Sequence, residues 1–237
     1  MSTPTSQPAS CFFEKNPSLV LSRRAFVEGA GSLLLMMAVT GSALTGQRLS
    51  GGNHELGLLV SAFATSGSLV GLILALGSVS GGHFNPLITG LQWLAGQRSL
   101  RCTLSYIGAQ ITGAMLGALL ANSLFDSLAS EPLTVMLNSK WILSEIVATC
   151  GLMIVVFGCI YSEKALTGPF GVGAWLLAAI VATPSASYAN PAIALAAILT
   201  SGPVGLTVSS ATVYVAAEIA GALLAYVVIS IAYPRTP

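Results

Sequence analysis

The stretch that decides the fold of this chain is SGGHFNPL, residues 80–87, which has a shorter counterpart in NPA, residues 190–192. Asn is among the strongest residues for capping the start of a helix. Pro suits the first helical position, where a backbone N–H would have no partner. Each Asn-Pro pair therefore predicts the start of a helix. The apolar segments that follow, 86–95 and 191–200, are about ten residues each, or roughly 15 Å as helix, which is half a bilayer.

The rest of the chain is too apolar for a soluble protein. Hydrophobic residues make up 54% of its 237 residues and charged residues 7%, where a soluble domain carries roughly 25%. A net charge of +1 without a basic block argues against a nucleic-acid partner. Six apolar stretches are long enough, or nearly so, to cross a membrane: 25–46, 57–79, 103–121, 141–161, 170–186 and 210–233. We predict an all-α membrane protein with six transmembrane helices and two re-entrant half-helices.

The basic residues predict the orientation. With an internal N-terminus, seven of the nine Lys and Arg residues lie on the inner side, which is a clear positive-inside bias. Both termini are then cytoplasmic. The polar residues 1–22 are expected to form a disordered tail and, lacking an apolar core, are not a signal peptide. The membrane domain is expected over 23–235.

The two halves of this domain, about 23–125 and 140–235, repeat a common pattern. Three matched sets occur in the same order: Glu28, Ser32 and Leu35 with Glu145, Thr149 and Leu152; Asn85-Pro86 with Asn190-Pro191; and Tyr106, Gln110 and Gly113 with Tyr214, Glu218 and Gly221. Each half contains three spans, so the second half is inverted relative to the first.

Inversion brings the two half-helix N-termini together near the bilayer midplane. Their dipoles create a local positive field there. The carboxamides of Asn85 and Asn190 can then donate hydrogen bonds to an oxygen atom passing between them. Such a site favours neutral solutes, repels cations and interrupts a proton-conducting file of water.

These motifs resemble those of the aquaporin family, the major intrinsic proteins. The resemblance covers about residues 24–233. It implies six spans with two half-helices, a pore through each monomer, a homotetramer in the lipid bilayer, and small neutral solutes as permeants. The central constriction implied by it consists of the residues Asn85, Pro86, Leu87, Asn190, Pro191 and Ala192.

The chain departs from the family pattern in the pore. Leu87 stands where the family usually has Ala, and altered packing is expected there. Ile193 stands where an Arg usually narrows the outer filter. Counting from the two Asn residues assigns the other filter positions to Thr65, Ala178 and Ser187. A small, uncharged filter implies a wide pore for water, glycerol, urea or undissociated metalloid hydroxides such as arsenite.

Several buried polar residues have two interpretations. The resemblance implies that Glu28 and Glu145 accept hydrogen bonds from the loops that lead into the half-helices; the alternative is a proton relay or a coupling-ion site. Gln110 and its counterpart Glu218 are expected to make packing hydrogen bonds, and a protonated, pH-sensing Glu218 is the alternative. For His83 a structural hydrogen bond is favoured over a pH gate.

Two other functions remain open. An ion-coupled secondary transporter also uses inverted repeats and broken helices, and would bind its ion at Glu28, Glu145 and Glu218. A non-conducting structural membrane protein would use Leu87 to occlude the pore. An enzyme is not expected, because the sequence shows no nucleophile paired with a base. Neither a cofactor nor a metal site is expected, because the Cys and His spacings fit none. The short tails favour a bacterial inner membrane.

Overall fold

The structure is a computed structural model that describes residues 18–51, 53–125, 138–162, 164, 166–200 and 202–233. Most of the predicted tail, residues 1–17, lies outside these ranges, and so do residues 234–237. Within them the chain is helical and contains no strand. The helices are α1 Leu21–Leu49, α2 His54–Ser80, α3 Pro86–Leu94, α4 Leu100–Phe125, α5 Ser139–Tyr161, α6 Gly168–Ala182, α7 Pro191–Ala196 and α8 Val208–Ala232.

Five of these helices, α1, α2, α4, α5 and α8, are long and apolar enough to cross a membrane. Helix α6 is apolar but has 15 residues, or about 22 Å of rise. It ends four residues before its predicted end because Pro184 disfavours a helical conformation at Thr183, which is extended (φ −121°, ψ 138°). The chain therefore completes this crossing as non-helical backbone.

The two half-helices begin where the Asn-Pro pairs predict. Helix α3 has nine residues. Helix α7 has six and continues as a 3₁₀ turn over Ala197–Leu199, so the predicted helix over 191–200 is regular only in its first part. The prediction of spanning helices with two short helices between them is confirmed.

The repeat also determines how the helices pack. Helix α1 lies along α4 in the first half, as α5 lies along α8 in the second. A Cβ on Gly113 would collide with the carbonyl oxygen of Gly29, and one on Gly221 would collide with that of Ile146. Gly113 and Gly221 are matched positions of the repeat. Glycine at both lets the backbones of each helix pair approach closely.

Candidate functional site

The two Asn residues cap the half-helices and join them to each other. Asn85 Oδ1 accepts a hydrogen bond from Leu87 N at 2.9 Å, and Asn190 Oδ1 accepts one from Ala192 N at 3.1 Å. Asn85 Nδ2 donates to Ala189 O at 2.8 Å, and Asn190 Nδ2 donates to Phe84 O at 2.8 Å. The N-termini of α3 and α7 therefore face each other. Because a carboxamide carries two N–H groups, each Asn has a second one to offer a solute.

A buried carboxylate holds the loop in front of α3. Glu28 Oε1 accepts hydrogen bonds from Ser80 Oγ at 2.6 Å and His83 N at 3.0 Å. Its Oε2 accepts from Phe84 N at 2.7 Å and Gln110 Nε2 at 2.8 Å. Four donors satisfy the two oxygens of this buried carboxyl group, as a polar group away from water requires.

The second half uses the same arrangement in front of α7. Glu145 Oε1 accepts from Tyr188 N at 3.1 Å, and its Oε2 accepts from Ala189 N at 2.9 Å. Glu218 Oε1 accepts from Asn190 N at 3.0 Å. Three consecutive backbone amides of this loop are therefore bound to two carboxyl groups.

Both loops need such anchors because their backbones are unusual. Phe84 and Ala189, the residues before the two Asn, each have a φ of 46°. Ala186 and Ser187 have φ values of 60° and 52°, and the matched residues in the first loop are Gly81 and Gly82. A non-glycine residue in this region is unfavourable and persists where its surroundings hold it.

His83 is buried among fixed partners. Its Nδ1 lies 2.8 Å from Thr89 Oγ1, and its Nε2 lies 3.4 Å from an amino nitrogen of Arg98. Its ring also packs edge-on against Tyr106, with the centroids 5.6 Å apart. These contacts tie the first loop to the starts of α3 and α4.

A cavity of about 400 Å³ is lined by both Asn85 and Asn190. Helices α1, α2 and α6 each line it with one face, at a spacing of three or four residues. The lining residues of α1 are Leu35, Val39, Ala43 and Gln47, and those of α2 include His54, Ser61, Thr65, Leu69 and Ile73. From His54 to Ile73, α2 rises about 29 Å, close to the thickness of a hydrocarbon core. Among the described lining residues there is no Lys, Arg, Asp or Glu.

Three of the four predicted filter residues line this cavity, namely Thr65, Ser187 and Ile193. The assignment of Ala178 is wrong: it is exposed on the outer face of α6 and does not line the cavity. Leu176 and Ile180, on either side of it in sequence, line the cavity instead. Counting back from Asn190 failed because the loop between α6 and α7 is not helical. The four-residue spacing of Val172, Leu176 and Ile180 could have identified the correct face.

The remaining residues of the two motifs lie behind the Asn pair. Pro86, Pro191 and Ala192 are buried, and Leu87 is half-buried. None of these four lines the cavity. Leu87 packs against the hydrophobic core, so its larger side chain is accommodated outside the pore.

No group of three or more His, Cys, Asp or Glu residues that could hold a metal ion occurs in the described ranges. The polar side chains that line the cavity are hydroxyls, carboxamides, the imidazoles of His54 and His83 and the indole of Trp141, all of which can hydrogen-bond to a neutral solute.

The comparisons with known proteins agree with this architecture. The sequence profile of the family described as "Major intrinsic protein" matches residues 15–182. Aquaglyceroporin AqpS of Rhizobium meliloti (strain 1021) is 35% identical over 210 residues, covering 86% of this chain and 88% of that protein. Aquaporin AqpM of Methanothermobacter marburgensis is 30% identical over 198 residues, covering 73% of this chain and 80% of that protein.

Among solved structures, the aquaglyceroporin from Plasmodium falciparum has a similar fold. The TM-score is 0.73 at 18% identity, over 89% of this chain and 96% of that one. Membership of the family follows from the profile match and from the identity to AqpS over most of both chains. This chain is an integral, multi-pass membrane protein of the major intrinsic protein family.

Proposed function

We propose that this chain is a passive channel for small uncharged solutes. The observation that carries the proposal is the cavity between Asn85 and Asn190, whose described lining contains no charged Lys, Arg, Asp or Glu side chain. A solute hydroxyl can replace a hydrogen bond to water by one to the second N–H of each carboxamide. The lining side chains of α6 and most of those of α1 are apolar and hold no solute tightly, which permits rapid passage.

Cations and protons are excluded by the same geometry. The N-termini of α3 and α7 meet inside the cavity and present the positive ends of their dipoles. A cation would also lose its hydration there without any carboxylate to replace it. A water whose oxygen accepts hydrogen bonds from both carboxamides directs its own hydrogens toward the waters on either side. This orientation breaks a continuous proton-conducting file of water.

We assign the outer filter to Thr65, Ile180, Ser187 and Ile193. Ser187 lines the cavity, and its buried Oγ has no hydrogen-bond partner among the described residues. We infer that rotation of this side chain presents the hydroxyl to a solute. Ile193 leaves this part of the pore without a guanidinium. We therefore infer that glycerol, urea and undissociated metalloid hydroxides such as arsenite pass as well as water. The name of AqpS, an aquaglyceroporin, supports the passage of glycerol beside water.

The carboxyl groups argue against an ion-coupled transporter. Glu28 and Glu145 are bound by loop amides and are not among the described residues that line the cavity. Leu87 does not enter the cavity, which argues against a pore occluded by this residue. We further infer a homotetramer in a bacterial inner membrane, with both termini cytoplasmic.

The test is solute flux into vesicles that contain the purified chain. Shrinkage and reswelling would be followed by light scattering for water, glycerol, urea and arsenite, beside protein-free vesicles. Ile193→Arg should reduce glycerol and arsenite permeability by about tenfold or more while reducing water less, because the guanidinium narrows the filter and binds water. Ile193→Met, of similar length without charge, should retain most of the glycerol flux. Water passage with exclusion of the three solutes in the unsubstituted chain would contradict a wide pore.

A further inference from the structure

The two halves differ at one buried, matched position. In the first half Gln110 Nε2 donates a hydrogen bond to Glu28 Oε2 at 2.8 Å. The matched pair in the second half is Glu218 and Glu145. An ionised carboxyl group has no hydrogen to donate. A donor and an acceptor in the first half are therefore replaced by two acidic groups in the second.

These two carboxyl groups bind neighbouring atoms of one loop. Glu145 Oε2 accepts from Ala189 N at 2.9 Å, and Glu218 Oε1 accepts from Asn190 N at 3.0 Å. Both side chains are fully buried. The second oxygen of Glu218, Oε2, has no hydrogen-bond partner among the described residues. It is the atom left over for the role that Gln110 Nε2 fills in the first half.

Among the described residues, no Lys or Arg acts on this pair. The titratable groups that interact with Glu218 are Glu145 of α5, Tyr188 of the loop and Tyr214, one turn earlier on α8. Cys150 of α5 is a further titratable residue close to α8, and its backbone nitrogen lies beside Gly221. Helices α3 and α7, which also pack on α8, contain no ionisable side chain. The sequence has no Lys or Arg between residues 165 and 234. Two adjacent buried anions would be strongly unfavourable here.

We propose that Glu218 is a positioning residue for Asn190 and that it is protonated, so that its O–H donates a hydrogen bond to Glu145. The proton resides on Glu218 Oε2 and forms the hydrogen bond that Gln110 forms with Glu28. Glu218 Oε1 continues to accept from Asn190 N. One negative charge then remains on the pair, bound by the amides of Tyr188 and Ala189.

Loss of this proton at alkaline pH would place two anions side by side. Their repulsion would separate Glu218 from Glu145 and loosen the hold on the amide of Asn190. The loop is sensitive to this loss because Ala186, Ser187 and Ala189 have left-handed backbones that depend on external anchors. Asn190 would lose its fixed place opposite Phe84, and solute flux would fall.

The first test detects the proton and does not depend on transport. A protonated buried carboxyl gives a C=O stretch in the infrared spectrum that shifts in D₂O. The protein in vesicles at neutral pH should show this band, and Glu218→Gln should lack it. Glu55→Gln, which changes an exposed carboxylate on α2 to an amide, should keep the band. Absence of the band from the unsubstituted chain, or its persistence in Glu218→Gln, would overturn the proposal.

The second test detects positioning, and it rests on the proposed function because its readout is glycerol flux. The unsubstituted chain and Glu55→Gln should lose most of their flux on raising the pH until the infrared band disappears. Glu218→Gln should conduct without this alkaline loss, since an amide can donate to Glu145 as Gln110 does to Glu28. A fall of equal size in Glu218→Gln, or failure of this variant to fold, would contradict the role of Glu218. A chain that shows the band but conducts no glycerol at any pH would refute the proposed function while leaving the proton on Glu218 supported.

Discussion

Replacement of Asn190 by Ala should lower the free energy of unfolding by more than the loss of an ordinary helix cap does. The Asn190 side chain caps α7 through Ala192 N and also donates to Phe84 O across the repeat interface. Loss of a cap costs about 1 kcal/mol. Loss of the second bond leaves the buried carbonyl of Phe84 unsatisfied, at about 2 kcal/mol. The expected decrease in the free energy of unfolding is therefore about 3 kcal/mol.

Asn138→Ala provides the matched control. Asn138 caps α5, where its Oδ1 accepts from Lys140 N at 2.9 Å and Trp141 N at 3.2 Å, but it is exposed and has no cross-repeat bond among the described contacts. Its removal should cost about 1 kcal/mol. The difference of about 2 kcal/mol corresponds to roughly 30-fold in the unfolding equilibrium.

The assay is reversible unfolding in mixed micelles with increasing sodium dodecyl sulfate, followed by far-ultraviolet circular dichroism. Both variants and the unsubstituted chain would be measured at the same lipid-to-detergent ratio. Glycerol flux of the folded protein should fall in Asn190→Ala and stay at its original level in Asn138→Ala. Equal destabilisation by the two substitutions would refute the inference that the Asn190 carboxamide couples the two half-helices.

Two further predictions concern packing and the filter. Gly113→Ala places a Cβ against the carbonyl oxygen of Gly29 and should destabilise the fold by about 3 kcal/mol. Gly108→Ala on the same helix has open space and should be neutral or slightly stabilising. Thermal unfolding distinguishes the two variants, and equal stability would contradict the close approach of α1 and α4. Ile180→Phe should reduce glycerol flux severalfold because residue 180 lines the cavity, while Ala178→Phe should not; the opposite order would restore Ala178 to the filter.

Local chemistry made the helix starts predictable from sequence. Asn85-Pro86 and Asn190-Pro191 specify a cap and a first turn whatever surrounds them, and the structure begins both helices there. The inverted repeat was predictable because its matched residues keep their order. The role of Leu87 was harder to foresee, since its side chain could turn toward or away from the pore, and the packing of α3 directs it away.

The filter and the crossed hydrogen bonds depended on tertiary structure. The connection from α6 to α7 contains Pro184 and the left-handed residues Ala186, Ser187 and Ala189. Counting residues back from Asn190 therefore does not predict which residue of α6 faces the cavity, and it assigns Ala178 wrongly. The bonds from Asn85 to Ala189 and from Asn190 to Phe84 join residues more than a hundred positions apart. Sequence pattern predicted that these loops meet, but the choice of carbonyl partners required their geometry.

The most direct measurement compares neutral-solute flux with ion and proton flux in the same vesicles. Glycerol entry would be followed by light scattering, and proton and potassium entry by a trapped pH dye and a potential-sensitive dye under an imposed gradient. Glycerol entry should be well above that of protein-free vesicles, and proton and potassium entry should stay at the level of the lipid alone. Proton or potassium flux that rises together with glycerol flux would contradict the claim that the two opposed helix N-termini exclude positive charge.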